Sequence, residues 1–287
     1  MLGRLTAGLF FILLIWGNLV AGMHAGMACP DWPLCQGSYI PPPRLDVWME
    51  FLHRVLAALS TLFLVLLARQ RFASYQGVQR AIPLAALGLI TLEIMLGALV
   101  VLMDLPVQPT TVHFMLGLAI FLLVLYMAIC DGTARPVRFS LSGYAGPLLC
   151  VTLLIYSQAS LGAYLRHSAA GLACPDFPTC RGELIPALWD GPTIINLSHR
   201  LVALGTLGTA LLLYCASLLD QRLRGCQRGL LVLVILVALQ IAVGAATVKS
   251  GLSYPVTSLH LALTLAIIGF SLRLWLLQST EPERSVK

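Results

Sequence analysis

The sequence predicts an all-α integral membrane protein, with eight transmembrane helices in two tandem four-helix bundles related by a pseudo-twofold axis along the membrane normal. Composition and an internal repeat predict this fold. Of 287 residues, 59% are hydrophobic and 10% charged, and the mean hydropathy is +0.89. Soluble domains carry about 25% charged residues. The composition therefore excludes an ordinary soluble enzyme, a disordered chain and a secreted disulfide scaffold.

Eight apolar runs, each about long enough to cross a bilayer as a helix, account for most of the chain. In chain order they are Leu5–Gly22, Phe51–Leu67, Ile82–Met103, Thr110–Cys130, Tyr144–Tyr164, Ile194–Leu218, Gly229–Val248 and Val256–Leu276. The alternating pattern of a β-barrel is not visible. The first run lacks a clear small-x-small cleavage site, which favours a first span over a signal peptide.

The basic residues predict the orientation. The net charge is +6, and with so few charges a topology bias explains it better than nucleic-acid binding. One side carries twelve of the 18 basic residues, namely Arg4, Arg69, Arg71, Arg80, Arg135, Arg138, Arg222, Arg224, Arg228, Arg273, Arg284 and Lys287. The other side carries four, which are Arg44, Arg166, Arg181 and Lys249. Both termini are therefore expected in the cytoplasm, with the cysteine-containing connections outside.

An internal repeat divides the chain at an offset of 145 to 147 residues. The segment GMACPDWPLC at Gly26–Cys35 returns as GLACPDFPTC at Gly171–Cys180. The other matches are Glu50, His53 and Arg54 with Asn196, His199 and Arg200; Glu93 and Gly97 with Gln240 and Gly244; and His113 with His260. Each half has an even number of spans, so the repeat is tandem rather than inverted. We place the halves at 1–139 and 140–287, joined near Asp131–Ser142.

Four histidines recur in the repeat, each a few residues past the outer start of an even-numbered span. They are His53, His113, His199 and His260. At 1.5 Å per residue they share one depth, so each half offers two imidazoles on two helices, as axial haem ligation requires. A zinc site is less favoured, because it needs three or four close ligands. The alternative is that these histidines form hydrogen bonds between helices.

The two halves differ at a carboxyl group. Glu50 lies three residues before His53 on one helical face, whereas its counterpart Asn196 cannot ionise. A buried carboxyl can act as a base or stabilise developing positive charge, so one pocket is predicted to be reactive and the other purely ligating. The alternative is a helix N-terminal glutamate favoured by the helix dipole. Glu93 near mid-span, replaced by Gln240, is either a proton or substrate contact or an interhelical hydrogen bond.

Small and basic residues complete the candidate sites. Gly97, Gly117 and Gly244 would let a flat macrocycle or a neighbouring helix approach closely. Arg54 and Arg200 either snorkel to the interface or contact a haem propionate.

The cysteines fall into two groups. Cys29 with Cys35 and Cys174 with Cys180 are C-x5-C pairs in outward loops, where an oxidising environment allows disulfides that clamp the next helix. A thiol-relay or metal role is the alternative for these pairs. The remaining four cysteines are read as small apolar residues or free thiols.

This ordered set of residues resembles the haem A synthase (CtaA) family over nearly the whole chain. In that family the enzyme oxidises the C8 methyl group of haem O to a formyl group, in two successive oxidations through a gem-diol that loses water. The product is haem A for terminal oxidases. The resemblance implies that His199 and His260 bind a haem b cofactor through its iron, that His53 and His113 hold haem O, and that Glu50 is the catalytic carboxylate.

The resemblance also has implications for the cysteines and for partners. The family's N-terminal cysteine pair is associated with activity, and Cys29 and Cys35 match it. The implied partners are haem O, the lipid of the cell membrane and, through the pathway, haem O synthase and terminal-oxidase assembly. No nucleic acid is expected, and the sequence does not decide whether the chain forms homo-oligomers.

Two other functions also use such features. A di-haem electron carrier similar to cytochrome b561 would place its haems near opposite membrane faces, whereas all four histidines here are predicted at one face. A tandem transporter usually has Gly- or Pro-broken helices near the midplane, whereas Pro83 and Pro147 lie near span starts.

Overall fold

A computed structural model describes residues 1–132 and 144–280 and contains eight long α-helices within those ranges. They are α1 (Leu2–Gly22), α2 (Leu45–Ser74), α3 (Ala81–Leu102), α4 (Val107–Ile129), α5 (Ala145–His167), α6 (Gly191–Leu219), α7 (Gln227–Lys249) and α8 (Tyr254–Thr280). Short 3₁₀ turns precede α3, α6 and α7. All eight are long and apolar enough to span a membrane, which confirms an all-α, multi-pass membrane protein.

The apolar surface of these helices explains why the fold needs a membrane. Many large apolar side chains are exposed on the spans, including Leu62, Leu201 and Leu212 at 55%, 66% and 72%. An exposed apolar surface of this kind requires lipid around it. The predicted join between halves at Asp131–Ser142, and the predicted topogenic residues Arg135, Arg138, Arg284 and Lys287, lie largely or wholly outside the described residues.

The described residues group into two compact units. In the first, α1 packs against α2 and α4, and α3 packs against α4 and α2; the segment Ser253–Ala262 belongs to this unit. In the second, α6 packs against α5 and α7. The pseudo-twofold arrangement of the bundles and the division at residues 139 and 140 stay predictions.

Helix α2 is longer than the predicted span because its charged residues find partners. The hydropathy pattern stopped before Arg69 and Arg71, yet the helix continues to Ser74. The buried Arg71 side chain donates from Nε to the Met127 carbonyl at 2.8 Å and from Nη1 to that of Asp131 at 3.2 Å. A cation at the carboxyl end of α4 complements its dipole and satisfies its last carbonyls.

Candidate functional site

The N-terminal candidate site is built on α2 and α4 of the first unit. Glu50 and His53 lie one turn apart on α2, and His113 lies six residues into α4. Glu50 is buried at 6% exposure, while the two histidines are half-buried. Helices α2 and α4 are in contact within the first unit, so the three predicted residues belong to one helical unit.

The position of Glu50 corrects one element of the sequence interpretation. Helix α2 begins at Leu45, so Asp46 rather than Glu50 occupies its first turn. The helix dipole acts within the first turn and does not account for a buried carboxyl in the second. A buried charge needs a partner, and Arg54 donates from Nε to Glu50 Oε1 at 3.0 Å. Glu50 is therefore a buried carboxylate that is stabilised by Arg54 rather than by the helix dipole.

Each of three candidate histidines packs against a glycine on the preceding helix. A Cβ added at Gly17, Gly97 or Gly162 would lie 3.0, 3.0 and 2.9 Å from Cε1 of His53, His113 and His199 respectively. Ordinary carbon contacts are about 3.5–4.0 Å, so each imidazole fills the space of an absent side chain. The sequence interpretation named Gly97 but missed Gly17 and Gly162, which stand 145 residues apart and could have been found from the repeat.

His113 also lies against a carboxylate. Its Nδ1 is 3.1 Å from Oε1 of Glu93 on α3. The same Glu93 oxygen fills the space where a Cβ on Gly117 would stand, 3.0 Å away. Gly117 therefore lets the neighbouring helices α3 and α1 approach closely through Glu93 and Leu14, which is one of the two roles that the sequence suggested. A carboxylate this close to the second nitrogen of an imidazole ligand can orient the ring.

The repeat changes this pair of residues together. At the positions of Glu93 and Gly117 the second half has Gln240 and Thr264, and Gln240 donates to the Thr264 hydroxyl at 2.6 Å. In the second half the Gln240 amide therefore binds the Thr264 hydroxyl, whereas in the first half the Glu93 carboxylate lies next to His113. Within the candidate sites, the two halves differ in charge at Glu50 and Glu93, which both belong to the first half.

The second unit places His199 on α6 beside a glutamine that the sequence interpretation missed. Gln158 Nε2 lies 3.1 Å from His199 Nδ1 and donates to the His199 carbonyl at 2.9 Å. Its counterpart in the first half is Leu13, so a polar residue in an apolar span without a polar repeat partner was the available signal. Asn196 donates to the carbonyls of Ala170 and Gly171, both at 3.0 Å. Asn196 therefore anchors a loop, whereas Glu50 at the equivalent position of the first half carries a charge.

His260 lies on α8, half-buried and six residues after the helix start, as His113 does on α4. His53 and His199 each lie eight residues after the start of their helices. These matched positions follow the repeat. The other two histidines, His24 and His167, lie at helix ends away from these positions. The part of the chain that the structure describes contains no cluster of three or more His, Cys, Asp or Glu side chains able to hold a metal ion.

Both cysteine pairs form disulfides, as predicted. Cys29 is bonded to Cys35 and Cys174 to Cys180, and all four residues are buried. Cys29 and Cys35 pack with Val47 and Phe51 at the start of α2, so the loop does clamp the entrance of that helix. The free cysteines among the described residues are Cys130, Cys150, Cys215 and Cys226.

An aspartate organises each disulfide loop. Asp31 accepts hydrogen bonds from the backbone N–H groups of Gln36 and Gly37 at 2.6 and 2.8 Å. Asp176 accepts from those of Arg181 and Gly182 at the same two distances and also from the Thr179 hydroxyl. The Gly37 N–H is the main cause of the lowered pKa of Asp31. The Thr179 hydroxyl, followed by the Gly182 N–H, lowers the pKa of Asp176 to about 2.

The lowered pKa of Asp176 predicts an acid-sensitive loop. A folded-state pKa below the ordinary 3.8 stabilises the loop above that value, and the stabilisation is lost as pH falls towards about 2. We expect Asp176→Asn to speed reduction of Cys174–Cys180 by a water-soluble phosphine severalfold at about pH 5, and the mutant-to-wild-type ratio to approach one near pH 2. A ratio independent of pH would contradict this role.

Both candidate arginines reach the disulfide loops. Arg54 donates to the carbonyls of Cys29, Asp31 and Leu34 at 2.7 to 2.8 Å, besides its bond to Glu50. Arg200 donates to the carbonyls of Cys174, Asp176 and Thr179, each at 2.9 Å. Four of the five N–H donors of Arg54 are thus used within the chain. The predicted propionate contact stays a prediction, and the structure gives both side chains a second role.

Comparison with known proteins gives a consistent result over nearly the whole chain. The COX15-CtaA model, described as "Cytochrome oxidase assembly protein", matches residues 2–272. A Heme A synthase of Halalkalibacterium halodurans is 32% identical over 278 residues, covering 93% of this chain and 92% of that protein. One of Symbiobacterium thermophilum is 31% identical over 94% of this chain and 90% of that protein. A third, of Alkalihalophilus pseudofirmus, is 32% identical over 72% and 71%.

Proposed function

The chain belongs to the COX15-CtaA family, and on that premise we propose that it is a membrane oxidoreductase of haem A biosynthesis, a haem A synthase. Its reaction is the oxidation of the C8 methyl group of haem O to a formyl group in two successive steps. The observation that carries this proposal in the structure is Glu50, a buried carboxylate beside His53 in one half only. The comparisons do not favour the di-haem electron carrier, because the named relatives are haem A synthases.

The first half is the proposed substrate site. His53 and His113 hold the iron of haem O, with each ring positioned by its glycine, and Glu93 orients His113 through Nδ1. Glu50 Oε1 is bonded by Arg54, so we assign to Oε2 the contact with the reacting methyl group. There the carboxylate accepts a proton or stabilises developing positive charge. Lateral entry between lipid-facing helices suits a substrate that carries a farnesyl tail.

The second half is the proposed cofactor site. His199 and His260 are assigned as axial ligands of haem b, an assignment based on the repeat and the family. Two imidazoles are a suitable donor set for a haem iron, and Gly162 leaves room for the His199 ring. When bound, haem b supplies one-electron transfer. Gln158 and Asn196 hold the His199 segment and its loop without introducing a carboxyl group.

The orientation is part of the proposal. Both termini lie in the cytoplasm of the cell that makes the protein, and the two disulfide loops lie outside, as the basic residues predict. The disulfides suit an oxidising exterior.

Glu93→Gln is expected to lower haem A formation by about 10- to 100-fold while haem b content stays at the wild-type level, because partners on the second nitrogen of a ligand histidine have effects of that size. Haem extraction from membranes measures both. Thr91→Val, at an exposed position on the same helix, is the control and should change neither. Haem A at the wild-type level in the Glu93 variant would show that Glu93 does not act on His113.

The proposed function is tested by coexpressing the chain with a source of haem O and extracting the pigments. Conversion of haem O to a formyl haem, with a b-type spectrum in the purified protein, is the expected result. A b-type spectrum with unchanged haem O would refute the synthase and favour an electron carrier. Absence of any haem would refute both.

A further inference from the structure

Arg54 is the point where the Cys29–Cys35 loop meets Glu50. The Nε–H group of its guanidinium donates to the Glu50 carboxylate at 3.0 Å. The other two nitrogens bind the carbonyls of Cys29, Asp31 and Leu34. The side chains of Arg54 and Glu50 are 15% and 7% exposed, so water competes little for these bonds.

The loop that holds Arg54 is itself rigidly organised. The disulfide closes the loop, and Asp31 accepts hydrogen bonds from two backbone N–H groups within it. The buried Cys29 and Cys35 side chains also pack against Val47. A planar guanidinium with three hydrogen bonds to this loop has little freedom. The Glu50 carboxylate is therefore held by a group whose position is fixed from outside the helix.

Comparison of the two halves shows that an arginine can hold a disulfide loop without also binding a carboxylate. Arg200 also binds the loop of its own half, through the carbonyls of Cys174, Asp176, Pro178 and Thr179. Its half has Asn196 in place of Glu50, and that amide turns to the carbonyls of Ala170 and Gly171. Clamping a loop therefore needs no carboxylate, and the Arg54–Glu50 bond is an addition found in the proposed reactive half.

We infer that Arg54 is a positioning residue for the reaction, which fixes the Glu50 carboxylate relative to the Cys29–Cys35 loop. The inference rests on the proposed function and deepens it. Opening the loop would release Arg54 and misplace Glu50. Misplacing a reacting group by about 1 Å can cost about 100-fold in rate. Loss of the Cys29–Cys35 disulfide should thus act on turnover through Arg54, whereas loss of Cys174–Cys180 should not.

The coupling can be measured without the enzymatic reaction. A hydrophobic carbodiimide modifies membrane carboxyl groups that lack a cationic partner, and mass spectrometry gives the rate at Glu50. We expect labelling to rise at least fivefold in Arg54→Gln and in the Cys29→Ser/Cys35→Ser variant, and to rise no further when the changes are combined. Arg200→Gln loosens the equivalent loop and should leave Glu50 labelling unchanged.

Unchanged labelling in Arg54→Gln, or effects that multiply in the combined variant, would overturn the inference. If Arg54→Gln fails to accumulate, Arg54→Lys, which keeps the cation but not the planar fork, should give an intermediate labelling rate, and a wild-type rate would overturn the inference.

Turnover per bound haem b provides the second readout. We expect Arg54→Gln to lower kcat about 100-fold with KM within about threefold, because the substrate ligands stay in place. A raised KM at normal kcat would assign Arg54 to substrate binding and overturn the inference. If wild-type protein makes no haem A while labelling follows the expected pattern, the proposed function fails, and the coupling of Arg54 to Glu50 stands.

Discussion

Glu50→Gln is expected to reduce haem A formation by about 100- to 10,000-fold, the range that a positioned acid–base group contributes. The glutamine side chain has nearly the same shape, so it keeps the packing of α2 and removes the charge. Arg54 would retain its three loop carbonyls, which preserves the loop. Because the proposed haem b ligands lie elsewhere in the sequence, the b-type spectrum should be unchanged.

Asp46→Asn is the matched control for Glu50→Gln. Asp46 lies one turn earlier on α2, and its side chain is 41% exposed in an ion pair with Arg44. Exposed ion pairs contribute little to stability, so this variant should form haem A within about twofold of the wild-type level. The measurement is the haem A to haem O ratio in extracted membranes. A wild-type ratio in Glu50→Gln would remove the carboxylate from the mechanism.

The sequence predicted the spans well where charge and hydropathy agree, and less well where a charged side chain is satisfied inside the protein. Helix α2 continues beyond the predicted span to Ser74, where Arg71 binds the Met127 carbonyl. Hydropathy cannot show such a partner, because the carbonyl comes from another helix. Glu50 was singled out for the same underlying reason, since a charge in an apolar run needs a partner.

Several residues of the candidate site could not be predicted from composition or spacing. The contacts of Gly17 and Gly162 with histidine rings depend on the rotation of neighbouring helices about their axes, which the sequence pattern leaves undetermined. The joint change from Glu93 and Gly117 to Gln240 and Thr264 has meaning only when the two side chains are seen in contact. The repeat supplied the matched positions, and the structure supplied their pairing.

Gly162→Val is expected to remove at least about 90% of the bound b-type haem from the purified protein. A Cβ at position 162 would stand 2.9 Å from His199 Cε1, well inside the contact distance of about 3.5–4.0 Å, and the valine methyl groups extend farther. A valine side chain there would overlap the ring, so the imidazole must leave its position. Gly208→Val on α6 is the control, because no atom lies within 4 Å of its added Cβ.

The same substitution in the first half should give the opposite pattern. Gly17→Val displaces His53, whose Cε1 lies 3.0 Å from the added Cβ, so it should stop haem A formation and leave the b-type spectrum intact. In the Gly162→Val variant, by contrast, the b-type spectrum should be lost. Reduced-minus-oxidised spectra together with extracted haem composition distinguish the two patterns. Loss of the b-type haem in Gly17→Val with retention in Gly162→Val would reverse the assignment of substrate and cofactor to the two halves, because each glycine positions the histidine of its own half alone.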